Sequence, residues 1–289
     1  MCNIACSYCY QHPIRDAGNF VKSPNKPYSL EVMKRALEAE GMNFTLFGGE
    51  PLLMPIEDLE ELWRWGLERF GHNGVQTNGT LITDQHVELF KKYRVQVGIS
   101  MDGPDELNDA RWAGSPEKTR EMTRRSQAAI ERLCAEGMPP SLIVTLHRLN
   151  ATPERRPKLK AWLKDLEAKG VWSVRLHILE VDHPLVRDRL ALTEQENIEA
   201  FLDMAQFQLE LQRMRFDIFD DMLKLLRGDD RRVTCIWNNC DPYTTPAVRG
   251  VEGNGERSNC GRTNKEGIDW IKADHEGWER YIAIYHPPN

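Results

Sequence analysis

The chain has 289 residues, with 38 Lys and Arg against 44 Asp and Glu, a formal net charge of -6 and 40% hydrophobic residues. This balance describes an ordinary globular protein of one large domain, or of one domain with a smaller companion, and argues against a general nucleic-acid binder. No apolar run approaches the roughly 18–20 residues that cross a bilayer, and no charged-then-apolar leader opens the chain, so a cytoplasmic location without membrane association is expected.

The first element is a cysteine loop, MCNIACSYC, with Cys2, Cys6 and Cys9. Three further cysteines, Cys235, Cys240 and Cys260, form a second group near the end, while Cys134 sits alone in an apolar helical pattern and reads as a buried inert thiol. Clustering of this kind in a reducing compartment points to metal rather than to disulfides. The first loop supplies three soft thiolates and no fourth. A structural zinc site closed by His12 is one reading; a four-iron cluster with one open iron is the other.

Beyond the loop, β-rich runs alternate with amphipathic helices. The expected strands are FTLF (44–47), VQTN (75–78), VQVGIS (95–100), SLIVTLH (141–147) and VWSVRLHI (171–178). The expected helices cover 29–40, 55–70, 83–93, 116–137 and 154–170, with Ser29 and Thr83 as N-caps. Trp63, Trp65 and Trp162 fall on these helices as packing residues, and the charges around Glu121 read as a solvated face. Such alternation predicts βαβ units about a parallel sheet, curled into an open or closed barrel. Residues 193–228 read as one long amphipathic stretch. From Arg231 the chain turns rich in Gly, Asn, Pro and Cys and lacks long periodic patterns, which suits a metal-stapled module.

The loop Cys2-x3-Cys6-x-Tyr8-Cys9, followed by Gly48-Gly49-Glu50-Pro51 after one strand, QTNG (76–79) after the next and ISMDGP (99–104) after a third, resembles the radical S-adenosylmethionine (SAM) enzymes. The resemblance covers roughly residues 1–180. It implies a partial (β/α)6 TIM-like barrel whose first strand, normally ahead of the cysteine loop, is absent from this sequence, so that the chain is expected to be incomplete at its front. It further implies that Cys2, Cys6 and Cys9 hold a [4Fe-4S] cluster. Tyr8 would pack near the SAM adenine, Gly48, Gly49, Glu50 and Pro51 would meet the SAM ammonium, and Asn78, Ser100 and Asp102 would contact SAM or shape its pocket. Arg111 is the candidate for the SAM carboxylate or ribose, at a spacing one residue short of the family's.

Cys240, Gly255 and Cys260 resemble the opening of the SPASM and twitch auxiliary-cluster domains, with Cys235 as a further ligand. A zinc site completed by His275 or His286 is the alternative. The implied organisation is a radical SAM core over 1–185, a linking helical segment over 186–228, and an incomplete auxiliary domain over 229–289. The implied activity is reductive cleavage of SAM to a 5′-deoxyadenosyl radical that abstracts hydrogen from a peptide or protein, with an electron donor such as flavodoxin or ferredoxin. Ribosomal-peptide maturation is the leading expectation. Sulfatase-maturase-like oxidation of Ser or Cys, a small-molecule dehydrogenase or epimerase, and a catalytically silent metal-stapled binding protein are the alternatives. His147, His177, Glu180 and Asp182, near the ends of two expected strands, are candidates for proton handling, against a reading as satisfied polar residues of a barrel rim.

Overall fold

A computed structural model describes residues 1–9, 28–181, 184–229, 232–233, 250–255 and 257–258. The alternating segments form a six-stranded sheet of β1 (Thr45–Leu46), β2 (Asn73–Thr77), β3 (Val95–Ser100), β4 (Ser141–Leu146), β5 (Ser173–Ile178) and β6 (Arg215–Phe216). The strands lie side by side in chain order and every neighbouring pair is parallel. The sheet is not closed, so the architecture is the expected partial barrel.

Helix α1 (Leu30–Glu40) precedes the sheet in the chain. The crossovers are α2 (Ile56–Phe70), α3 (Asp84–Lys92), α4 (Pro116–Ala135) and α5 (Arg156–Ala168), followed by α6 (Pro184–Leu190) and α7 (Glu194–Glu210) together, with α8 (Asp217–Leu226) after β6. The expected caps are in place. Ser29 accepts from the Val32 amide at 3.5 Å, and the Thr83 amide donates to Nδ1 of His86 at 3.3 Å. Cys134 is partly buried in α4, and burial pushes its thiol up. Trp63 is fully buried, Trp162 is buried with its indole N–H donating to Gln127, and Trp65 packs edge-on to Phe70.

One expectation fails. The stretch 193–228 is not continuous, because α7 stops at Glu210 and β6 then joins the sheet beside β5. The break is held by side chains: Arg213 and Met214 amides donate to the Glu167 carboxylate at 2.6 and 2.8 Å, and the Phe216 amide donates to Gln208 at 2.6 Å. A two-residue strand is too short to show a period of two, so the sequence pattern conceals it. The segment expected as a linker therefore supplies a barrel strand.

Compact packing divides the chain into one unit of Cys2–Cys9 with Thr45–Asp220 and another of Met1, Tyr10–Phe44 and Asp221–Asn289. In the second unit, β7 (Gly250–Val251) and β8 (Arg257–Ser258) form an antiparallel hairpin. The Ser29 amide donates to the Gly253 carbonyl at 2.9 Å. Gly255 has a φ of +85°, and a Cβ there would meet Val32 at 2.4 Å, so both backbone and space demand glycine. Cys235, Cys240, Cys260, His12, His275 and His286 lie outside the described residues. Among the described residues, no helix is long and apolar enough to cross a membrane.

In the first unit the two faces of the sheet differ. Leu46, Val75, Val97, Ile99, Leu142, Val144, Val174, Leu176 and Phe216 are buried. The alternate positions are more open: Thr45, Gln96, Ser141 and Arg175 are exposed, and Gln76, Ser100, Ile143 and His177 are partly so. Strand alternation thus gives one apolar face for the crossover helices and one polar inner face. On the latter, Gln76 donates to Ser100 at 2.8 Å across Gly98, where a Cβ would come within 2.2 Å of the glutamine oxygen.

Asn73, fully buried at the start of β2, clamps two crossovers by donating to the Trp63 and Tyr93 carbonyls at 2.9 and 2.8 Å. Asn73→Ala leaves two buried carbonyls short of a donor and should cost about 2–4 kcal/mol. Thermal melting of the variant should show a clear fall, and an unchanged midpoint would mean that the clamp is dispensable.

Candidate active site

The cysteine loop is a strap laid against the connection that follows β3. Ala5 and Ser7 amides donate to the Trp112 and Ala110 carbonyls at 2.6 and 2.7 Å, and the Cys9 amide closes a turn onto the Cys6 carbonyl at 3.1 Å. Ile4 is buried with Ala113 and Met122, and Cys2 and Cys6 pack against that cluster. The strap is also pinned to the end of β2. Asn78 donates to Asn3 at 2.8 Å, Asn3 donates to the Thr80 hydroxyl at 2.8 Å, and that hydroxyl returns to Asn78 at 2.6 Å. The side chain of Asn78 is thereby engaged with the protein. Asn3 and Thr80 went unnoticed in the sequence, since nothing in their spacing pairs residues so far apart.

Gly48 and Gly49 are exposed at the end of β1, and Gly48 has a φ of +143°, a conformation glycine adopts readily. Pro51 is buried beside them. Glu50 turns inward and is only 4% exposed. Its Oε1 accepts from the Leu52 amide at 3.0 Å and the Thr77 hydroxyl at 2.7 Å, and its Oε2 accepts from the Asn78 amide at 2.8 Å. Burial pushes the carboxyl up, and these three donors only partly offset it. Glu50 thus fastens the glycine turn to the end of β2 by its own hydrogen bonds.

Asp102 is fully buried just past β3. Its Oδ1 accepts from Arg111 at 3.1 Å and from the Thr145 amide at 2.9 Å; its Oδ2 accepts from the Tyr8 hydroxyl and from His147 Nε2 at 3.4 Å. The Leu149 amide donates to His147 Nδ1 at 3.2 Å, so Nε2 carries the proton given to Asp102. Burial opposes ionisation of Asp102, but the Arg111 guanidinium and the hydrogen bonds from His147 and Tyr8 outweigh it and hold the carboxyl well below the usual range. The Tyr8 hydroxyl is driven upward, by burial first. Arg111 is buried, with its guanidinium 5.7 Å from the Tyr8 ring centre and Nη1 4.0 Å from Cys6 Sγ.

The structure therefore brings Tyr8, Asp102, Arg111 and His147 into one buried network. It leaves Gly48, Gly49 and Ser100 toward the open side. His147, a candidate for proton handling, is fully buried and engaged with Asp102, which removes it from the substrate-facing surface. His177 and Glu180 are partly exposed at the end of β5, with His177 Nε2 3.9 Å from Glu180 Oε1. Asp182 lies outside the described residues.

Cys2, Cys6 and Cys9 are partly buried and not joined in disulfides, and burial pushes the Cys6 thiol to about 12 despite the pull of Arg111. Such a thiol sheds its proton only when something stabilises the thiolate, as a metal centre does. Among the described residues, no three His, Cys, Asp or Glu side chains converge on a single ion. A four-iron cluster takes thiolates on separate irons, so three sulfurs set along one short strap suit it. The donor set fits the cluster.

Glu50→Ala strips the acceptor from three donors, and with charge-assisted bonds worth about 1.5–3 kcal/mol each it should destabilise even SAM-free protein by about 3 kcal/mol or more. Calorimetry without SAM checks this; an unchanged melting temperature would mean that Glu50 acts only on a bound ligand.

Residues 1–163 match the radical SAM superfamily. A 121-residue stretch is 34% identical to the serine-type anaerobic sulfatase-maturating enzyme of Bacteroides thetaiotaomicron, spanning 38% of this chain and 28% of that protein. A 120-residue stretch is 39% identical to the cysteine-type anaerobic sulfatase-maturating enzyme of Clostridium perfringens, spanning 37% and 32%. The match thus spans about a third of those relatives. Among solved structures, anSMEcpe with bound AdoMet and Cp18Cys peptide superposes with a TM-score of 0.70 at 20% identity, covering 97% of this chain and 76% of that one. Streptococcus suis SuiB bound to precursor peptide SuiA gives 0.62 at 15%, covering 94% and 60%. At these identities the superpositions speak for the fold. With the superfamily match covering more than half of its length, this chain belongs to the radical SAM superfamily and is an enzyme of that family.

Proposed function

We propose that this radical SAM enzyme abstracts hydrogen from a peptide or protein segment. The observation that carries the reading is the position of the cysteine strap, pinned to the strand ends beside a sheet face whose polar residues stay partly exposed. The likeness to sulfatase-maturating enzymes supports it, as does the superposition on structures with bound peptides. Within this reading, the sequence likeness favours oxidation of a Ser or Cys side chain, beside maturation of a ribosomal precursor peptide.

Cys2, Cys6 and Cys9 are the proposed cluster ligands, and the exposed Gly48-Gly49 backbone with Ser100 the proposed SAM contacts. When bound, the cluster and SAM supply the electron and the hydrogen-abstracting radical. The chain's own part is to hold the sulfurs at the strand ends, to present backbone acceptors to an ammonium through the glycine turn, and to place His177 and Glu180 where a substrate proton can be received. Cys235, Cys240 and Cys260 are the proposed ligands of an auxiliary cluster. The β7–β8 hairpin and the left-handed turn at Gly255 support this, because they reverse the chain between Cys240 and Cys260.

Reconstituted enzyme under reduction should form 5′-deoxyadenosine from SAM, and the Cys2, Cys6, Cys9 triple alanine variant should form none. Incubation with a Ser- or Cys-bearing sulfatase peptide, and separately with a precursor peptide, should change the mass of at least one of them. Deoxyadenosine production that responds only to small metabolites, with both peptides unaltered, would overturn the peptide reading.

A further inference from the structure

We propose that Asp102 is a positioning residue for the cysteine strap, and that it acts through Tyr8 and Arg111 rather than by touching SAM. The first ground is saturation. An ionised carboxylate offers about four lone-pair sites, and Asp102 already receives four protein donors while fully buried. No acceptor is left for a ribose hydroxyl or an ammonium.

The second ground is where the donors come from. Tyr8 stands on the strap between Cys6 and Cys9, Arg111 on the connection after β3, and Thr145 and His147 at the end of β4. One carboxylate thus ties three segments far apart in sequence. Asp102 is itself fixed on both sides of its backbone: its amide donates to Asn108 at 2.8 Å, and its carbonyl accepts from Asn150 at 2.8 Å. An anchor so held transmits its position to whatever it grips.

The third ground is the geometry of Arg111. Its Nη2 grips Asp102, its Nη1 lies 4.0 Å from Cys6 Sγ, and its Nε has no hydrogen-bond partner among the described residues. The cation is therefore oriented by Asp102 toward a cysteine sulfur on one side and the face of Tyr8 on the other. Neutralising Asp102 would leave a buried guanidinium uncompensated beside the strap, a costly arrangement that the strap can relieve only by moving.

Hydrogen–deuterium exchange on cluster-loaded enzyme without SAM, using Asp102→Asn and the milder Tyr8→Phe, tests this. Amides of residues 1–9 should exchange about tenfold faster in both variants, the loss of one buried hydrogen bond, while β2 and β5 keep wild-type rates. The electron paramagnetic resonance spectrum of the reduced cluster should shift in both, because the sulfurs are re-aimed, and a residue that merely holds the barrel together would not produce that pattern. If Asp102→Asn fails to load, Tyr8→Phe decides alone. Wild-type exchange of residues 1–9 with an unshifted spectrum would overturn the proposal, and a weakened SAM affinity under those conditions would make Asp102 a direct ligand instead.

Discussion

A carboxylate removed entirely from water has to be surrounded by donors, and Asp102 is the point in this protein where that demand is met. Burial alone would neutralise it. The Arg111 cation, reinforced by a tyrosine hydroxyl, an imidazole N–H and a backbone amide, keeps it ionised. Each donor must be brought from another part of the chain, so satisfying one charge fixes the ends of β3 and β4, the connection between β3 and α4, and the strap that carries the cysteines. Breaking such a network by removing one member is far more disruptive than any pairwise contact suggests, because the remaining charge stays buried.

Glu50 works in the same way on a smaller scale. It stands where the chain leaves β1 and gathers the donors at the end of β2, so that two adjacent strand ends are locked together beneath an exposed pair of glycines. Asn78 then passes that order to Asn3 on the strap. The polar residues around the site thus divide into two populations. One set is turned inward and spends its hydrogen bonds on the protein: Glu50, Asn78, Asp102, Arg111 and His147. The other set, Gln76, Ser100 and His177 with the glycine backbone, stays toward the open inner face. This division suits an enzyme whose difficult chemistry belongs to a cofactor and whose own task is rigid placement.

The alternation of the strands makes the division available. With buried aliphatic side chains on one face of the sheet and polar ones on the other, the crossover helices have a single face to cover. The inner face is left open, and the strap lies at the carboxyl ends of the strands, where parallel α/β folds place their sites.

Much of this was determined by the sequence alone. Helix periodicity and caps located α1 to α5 within a few residues, strand alternation located β2 to β5, and the cysteine spacing with the glycine turn was specific enough to identify the superfamily. These signals are local, written in neighbouring residues by backbone geometry and side-chain period. The short β6 was hidden, because two residues carry no period and its course depends on Glu167 and Gln208 reaching across from other elements. The direction in which each polar side chain faces was equally invisible. Glu50, Asp102 and His147 stand where groups near a ligand are expected, but only the tertiary structure shows that each is buried and which protein groups it bonds. Which partner a polar group finds depends on segments far away in the chain, 94 residues for Tyr8 and Asp102. Hydrogen bonding at that range is settled only when the strands have assembled and water has been excluded.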